Sequence, residues 1–225
     1  MSVDPANPNP NLNPNPNLNP NRRPPQRLLV KTAFIRGLSR LVFKVCGWKV
    51  VGTPPPNTPK YVMICAPHTS YWDGFWMLGA ASSLGIDLRF LGKHTMFKGP
   101  LGWFMSILGA VPVIRSERQN TVQQAADWFR SSDSFLLGVA PEGTRRLTKG
   151  WKTGFYWIAM EATVPIACAF VDYRTKTTGF LPEICHPSGD IAKDFAQFQS
   201  AYAEITPKSP EKMSPIEPIA QPVRS

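Results

Sequence analysis

The sequence predicts an α/β fold, a mixed and largely buried central sheet flanked by helices, with an N-terminal amphipathic helix. Three observations predict it. Short apolar runs of strand length alternate with segments of helical periodicity between residues 60 and 205. Several of these runs are apolar throughout rather than alternating, as strands covered on both faces are. Between two proline-rich ends lie roughly 180 residues, enough for one domain with a full hydrophobic core.

The elements follow in order. Residues 26–48 form the first helix: Leu28, Phe34, Ile35, Leu38, Leu41, Val42 and Val45 share one side, and Arg36, Arg40 and Lys44 repeat on the other. Such a helix can lie in a bilayer interface or pack on the domain with its basic face in water. After the loop holding Pro54, Pro55 and Pro56, residues 61–66 read as a strand and 71–84 as a helix. Residues 88–92 and 110–115 read as strands. Residues 121–130 read as a helix with Val122, Ala125, Ala126 and Phe129 in phase. A buried strand at 135–140, a helix at 154–162, a strand at 164–173 and a helix at 190–202 complete the alternation.

Both ends read differently. Residues 1–25 alternate Asn and Pro, bury little apolar area and lose a backbone donor at each proline, so disorder is expected there. The prolines of residues 206–225 give the same expectation, leaving 26–205 as the domain.

The formal charge of +10 is unevenly spread: residues 1–50 hold eight Lys/Arg against the single acid Asp4, and the remainder is nearly balanced. A basic arm on a balanced domain points to an anionic partner surface, membrane or nucleic acid. The near-balance beyond residue 50 and the lack of a recognition module disfavour nucleic acid. Cys46, Cys65, Cys168 and Cys185 form no CxxC pair, so neither a metal site nor a disulfide framework is expected, and buried reduced thiols are. No run of about eighteen apolar residues occurs, so no ordinary transmembrane helix is expected, nor a secretory leader.

The most informative stretch is Ala66-Pro67-His68-Thr69-Ser70-Tyr71-Trp72-Asp73-Gly74. Ser70-x-x-Asp73 is a capping pattern that starts the helix after His68. Two residues five apart within one helix point about 140° apart, so His68 and Asp73 meet only if His68 lies in the turn before it. A carboxylate on one imidazole nitrogen raises the basicity of the other, which can then take a proton from an alcohol. The same residues also suit a loop histidine beside a helix cap.

Ala140-Pro141-Glu142-Gly143-Thr144-Arg145-Arg146 follows a strand, where a turn glycine, a hydroxyl and guanidiniums suit a phosphate or a plain polar turn. Arg115 ends one strand and Lys93 another. Strand ends bearing His68, Lys93, Arg115 and Arg145 suggest a shared crevice at one sheet edge.

In order, His68-x4-Asp73, Arg115, Pro141-Glu142-Gly143-Thr144-Arg145 and Val164-Pro165-Ile166 resemble the four blocks of the glycerolipid acyltransferases, nearest the 1-acylglycerol-3-phosphate type. Trp151-Lys152-Thr153-Gly154 resembles the basic-Gly step after the third block. The resemblance implies that His68 deprotonates an acceptor hydroxyl while Asp73 orients it. It further implies that Lys93, Arg115, Glu142, Gly143, Thr144 and Arg145 bind the acceptor, and that Val164–Ile166 shapes a pocket. The donor it implies is acyl-CoA or acyl-ACP, as co-substrate without a further cofactor or metal. The acceptor is a lysophospholipid, foremost 1-acyl-sn-glycerol-3-phosphate, which would yield phosphatidic acid. The expected partners are the lipid substrate, an anionic membrane surface and acyl carrier protein, with no nucleic acid. The expected location is cytoplasmic, peripheral at the inner face of the membrane. A non-catalytic lipid-binding protein, or transfer to another lyso-lipid, is the alternative. The absence of GxSxG, Walker, GxGxxG and HExxH motifs fits direct attack by the acceptor alcohol.

Overall fold

The computed structural model describes residues 33–93, 102–103, 106, 108–113 and 118–219. The Asn/Pro-rich segment 1–25 and residues 26–32 of the expected first helix therefore lie outside the described residues.

Helix α1 (Ala33–Cys46) leads into β1 (Lys49–Val51). The core then runs β2 (Lys60–Ala66), α2 (Tyr71–Leu84), β3 (Leu88–Lys93), β4 (Ala110–Val113), α3 (Arg118–Ser131), β5 (Phe135–Val139) and β6 (Trp151–Lys152). It continues through α4 (Gly154–Ala162), β7 (Ile166–Asp172), β8 (Thr177–Cys185) and α5 (Ile191–Tyr202). A 3-10 turn at Pro210–Lys212 and β9 (Pro218–Ile219) close the described chain. Seven strands form one sheet in the order β1-β8-β7-β2-β5-β3-β4. The five strands from β7 to β4 are parallel, β8 is antiparallel to β7, and β1 is parallel to β8.

The two-residue period of the strands builds two cores. Val62, Ile64, Leu137, Ile166, Cys168 and Phe170 face α3, α4 and α5, which contribute Phe129, Phe155, Tyr156, Phe195 and Tyr202. Tyr61, Met63, Leu136, Ala167, Ala169 and Val171 face α1 and α2, which contribute Phe43, Trp76, Met77 and Ala80. The expected α/β class with a buried mixed sheet holds. Because β2, β3, β5 and β7 are parallel, their C-terminal ends share one edge, and the loops that follow them converge there.

Three expectations are corrected. First, residues 206–225 are not disordered as far as Ile219. The Ser209 N–H donates to Thr69 Oγ1 at 3.3 Å, the buried Ser214 hydroxyl accepts from the Thr148 N–H at 3.0 Å, and the Glu217 carbonyl accepts from the Trp151 N–H at 2.7 Å. The prolines sit where no N–H is needed: Pro210 opens the 3-10 turn and Pro218 lies in a two-residue strand paired on one side to β6.

Second, α1 packs on the domain, but not through its apolar side. Phe43 sits edge-on to Trp76, Arg40 donates to the Ser83 carbonyl at 3.2 Å, and Arg36 lies against Gly85. Phe34, Leu38, Leu41 and Val45 are exposed, the first and last by 76% and 77%. Third, Cys46 is exposed rather than buried, and β1 and β8 are strands the periodicity did not separate from loops.

Candidate active site

Ser70 caps α2: its hydroxyl accepts from the Trp72 N–H at 3.2 Å, and Asp73 reaches back to the Ser70 N–H at 2.7 Å. This box leaves His68 in the turn between β2 and α2, as the spacing required. The His68 ring then stands beside Asp73, Nδ1 to Oδ2 3.5 Å, at the long side of hydrogen-bond reach.

Asp73 is 2% exposed and well supplied with donors. Oδ2 also accepts from the Thr69 N–H at 2.7 Å, and Oδ1 accepts from the Tyr173 hydroxyl at 2.7 Å. Burial works against its ionisation, but the donors from His68, Tyr173, Ser70 and Thr69 outweigh it and hold the carboxyl below the ordinary range.

The third block meets the first from beneath. Glu142 Oε1 accepts the His68 backbone N–H at 2.9 Å, while Oε2 is buried with no hydrogen-bond partner among the described residues. Burial pushes the Glu142 carboxyl up, partly offset by that N–H. Expected as a substrate-binding residue, Glu142 instead lies under the histidine loop and does not line the cleft above it. Gly143 turns the chain at φ +65°, and Lys152 lies across it: a Cβ there would stand 2.7 Å from the Lys152 Nζ. The Lys152 N–H donates to the Pro141 carbonyl at 2.8 Å, tying β6 to the block. Arg145 stacks over the Tyr71 ring, 3.7 Å to its centroid.

These groups line one cleft of about 1220 Å³. His68, Asp73, Gly143, Thr144, Arg145 and Lys152 supply its polar part. Met77, Leu78, Phe90, Leu91, Val122 and Ile158 supply its apolar part. Cys65 also lines it, but burial and the Glu142 charge push its thiol up to about 12, so it is not a thiolate at neutral pH.

Of the expected site residues, His68, Asp73, Gly143, Thr144 and Arg145 come together in the cleft. The backbone of Lys93 closes β3 beside Val113, and Arg115 lies outside the described residues. Val164 and Ile166 pack in the core on the α4 side rather than in the cleft wall. Lys152 belonged to a motif quoted from the sequence but not to the expected site. Tyr173 carried no signal, being an aromatic residue at a strand end.

The family model described as Acyltransferase matches residues 49–171. A 1-acyl-sn-glycerol-3-phosphate acyltransferase of Saccharomyces cerevisiae is 32% identical over 125 residues, covering 52% of this chain and 40% of the relative. One of Streptococcus pneumoniae is 26% identical over 142 residues, covering 59% and 51%. The chain thus spans about half the length of the relatives it matches, or less. The crystal structure of the 1-acyl-sn-glycerophosphate (LPA) acyltransferase PlsC from Thermotoga maritima shares the fold, with TM-score 0.51, 15% identity and 76% of each chain covered.

Proposed function

The chain belongs to the Acyltransferase family, and from that premise we propose that it moves a fatty acyl group from acyl-CoA or acyl-ACP to the hydroxyl of a lysophospholipid, foremost 1-acyl-sn-glycerol-3-phosphate. The observation that carries the reading is His68 beside the buried Asp73, with Arg145 and Lys152 lining the same cleft. The relatives named for the same acceptor support it.

In this mechanism Asp73 holds the Nδ1 proton of His68, leaving Nε2 free to accept. As the acceptor oxygen bonds to the thioester carbonyl carbon, its proton passes to Nε2. The tetrahedral intermediate collapses, the C–S bond breaks, and the sulfur leaves as a thiol, taking that proton. General-base help of this kind is worth roughly 10²–10⁴-fold, the rest coming from positioning and oxyanion stabilisation. Arg145, Lys152, Lys93, Arg115 and the turn at Gly143–Thr144 hold the acceptor phosphate, and the apolar part of the cleft takes an acyl chain. Glu142 supports the His68 loop.

The acceptor and product are membrane lipids, and the partner surface is an anionic membrane at its cytoplasmic face. Among the described residues no helix is long and apolar enough to cross a membrane. The exposed apolar side of α1, flanked by Lys44, offers an interfacial face instead.

The experiment pairs labelled acyl-CoA and acyl-ACP with a panel of lyso-lipids and identifies products by mass spectrometry. Phosphatidic acid from the wild type, and none from a folded His68→Ala variant, is the expected result. Near-normal turnover by His68→Ala, or no ester product with any acceptor, overturns the reading.

A further inference from the structure

The two oxygens of Asp73 are served unequally. Oδ2 takes the Thr69 and Ser70 N–H groups at 2.7 Å each and faces His68 Nδ1 at 3.5 Å. Oδ1 has the Tyr173 hydroxyl, at 2.7 Å, as its hydrogen-bond partner among the described residues. Tyr173 comes from the loop after β7, one hundred positions from Asp73 along the chain. Its placement is fixed on both sides. Trp48 stands edge-on to the ring, centroids 5.1 Å apart, and itself stacks on Trp76 at 4.2 Å. The Tyr173 N–H donates to the Thr206 carbonyl at 2.9 Å.

We propose that Tyr173 is a positioning residue for the dyad: its hydroxyl occupies Oδ1 and shares the carboxylate charge, so that Oδ2 alone faces the imidazole. The inference rests on the reading of His68 as general base, but its geometry does not. A buried carboxylate oxygen stripped of its donor is costly. With the phenol gone, the titratable donor in reach of Asp73 is His68, and the carboxylate then draws a proton onto the ring. Tyr173 thereby offsets part of the pull of the Asp73 carboxylate on that proton. The other titratable or charged groups around the pair are Glu142, under the His68 N–H; Cys65, which burial keeps protonated; Arg145 and Lys152, which line the same cleft; and, beyond Tyr173, Lys208, whose Nζ lies 5.2 Å from the Trp72 ring and 5.9 Å from that of Tyr173.

The test is Tyr173→Phe in the full chain, which keeps the ring against Trp48. An NMR titration of the imidazoles, with His68 assigned by its loss in His68→Gln, is expected to show the His68 midpoint raised by on the order of one pH unit. The acid limb of kcat/KM should rise with it, and kcat at neutral pH should fall by up to about tenfold, with KM little changed. In an Asp73→Asn background, Tyr173→Phe should move neither quantity further. An unmoved His68 midpoint, or a lowered melting temperature with that midpoint unmoved, overturns the inference. The titration needs no turnover, so a chain that transfers no acyl group sinks the functional reading and leaves this one to be decided by the titration.

Discussion

The backbone N–H of His68 donates to Glu142 Oε1 at 2.9 Å, joining residues 74 positions apart. The first and third motif blocks are therefore mechanically one unit, with a buried carboxyl setting the height of the histidine loop.

That unit predicts a pH-dependent stability. Burial raises the Glu142 carboxyl in the folded state, so its contribution is fully present below the unfolded value and is lost as pH rises through the folded one. Relative to Glu142→Gln, the wild type should lose unfolding free energy in urea titrations as pH rises above the unfolded carboxyl value of about 4.3. Glu142→Ala, which removes the acceptor, should cost about 1–3 kcal/mol and reduce turnover through a loosened His68 loop. Unchanged stability and turnover in the Ala variant would show that the contact does not set the loop.

Asp73→Asn should behave in the opposite sense. Four donors hold the Asp73 carboxyl below its ordinary range, so its stabilisation is present above the unfolded value of about 3.9 and is lost as pH falls through the lower folded one. The asparagine amide cannot accept from both sides, so one N–H must face a donor. The variant should be less stable than wild type at neutral pH, with the gap closing in acid. Turnover should drop on the order of 10²–10⁴-fold. A stability difference that does not depend on pH would mean that the carboxylate charge is not what the four donors stabilise.

The dyad was legible because the capping box fixes where α2 starts, and one backbone constraint then decides whether His68 and Asp73 can meet. The strands were legible where both faces are covered, as in β2 and β7, since an apolar run needs no partner to be recognised. β8 was not, because Pro182 and Glu183 sit beyond Gly179, where β1 stops pairing and the strand has an open side. The segment through Ile219 was not, because proline-rich composition gives the same signal for a disordered tail and for a strap held by side-chain and carbonyl contacts. The face of α1 that docks was not either: periodicity reports an apolar side, and here Phe43 on the opposite side makes the contact together with Arg36 and Arg40.

Arg145 should read the acceptor phosphate. Its guanidinium carbon lies over the Tyr71 ring, 3.7 Å from the centroid, a contact that does not use its donors. Arg145→Lys removes the planar fork, and KM for a phosphate-bearing acceptor should rise about tenfold, the loss of one charge-assisted hydrogen bond. KM for a neutral monoacylglycerol should hardly move. Equal changes for both acceptors would mean that Arg145 does not contact the phosphate.

The outward side of α1 should be what holds the protein to lipid. Phe34, Leu38, Leu41 and Val45 fall on one face by the helical period and are exposed, while Phe43 on the other face anchors the helix to Trp76. An exposed apolar stripe beside Lys44 matches an anionic bilayer surface in both of its terms, burial and charge. Leu38→Asp with Leu41→Asp adds two negative charges to that stripe without touching the core, so the melting temperature should stay put. Flotation with anionic vesicles should fall at least about tenfold. Salt should weaken wild-type binding only in part, because screening acts on the basic flank and not on the buried apolar area. Turnover on a short-chain, water-soluble acceptor should survive the double substitution, since α1 does not line the cleft. Undiminished flotation of the double variant would place the lipid contact elsewhere on the molecule.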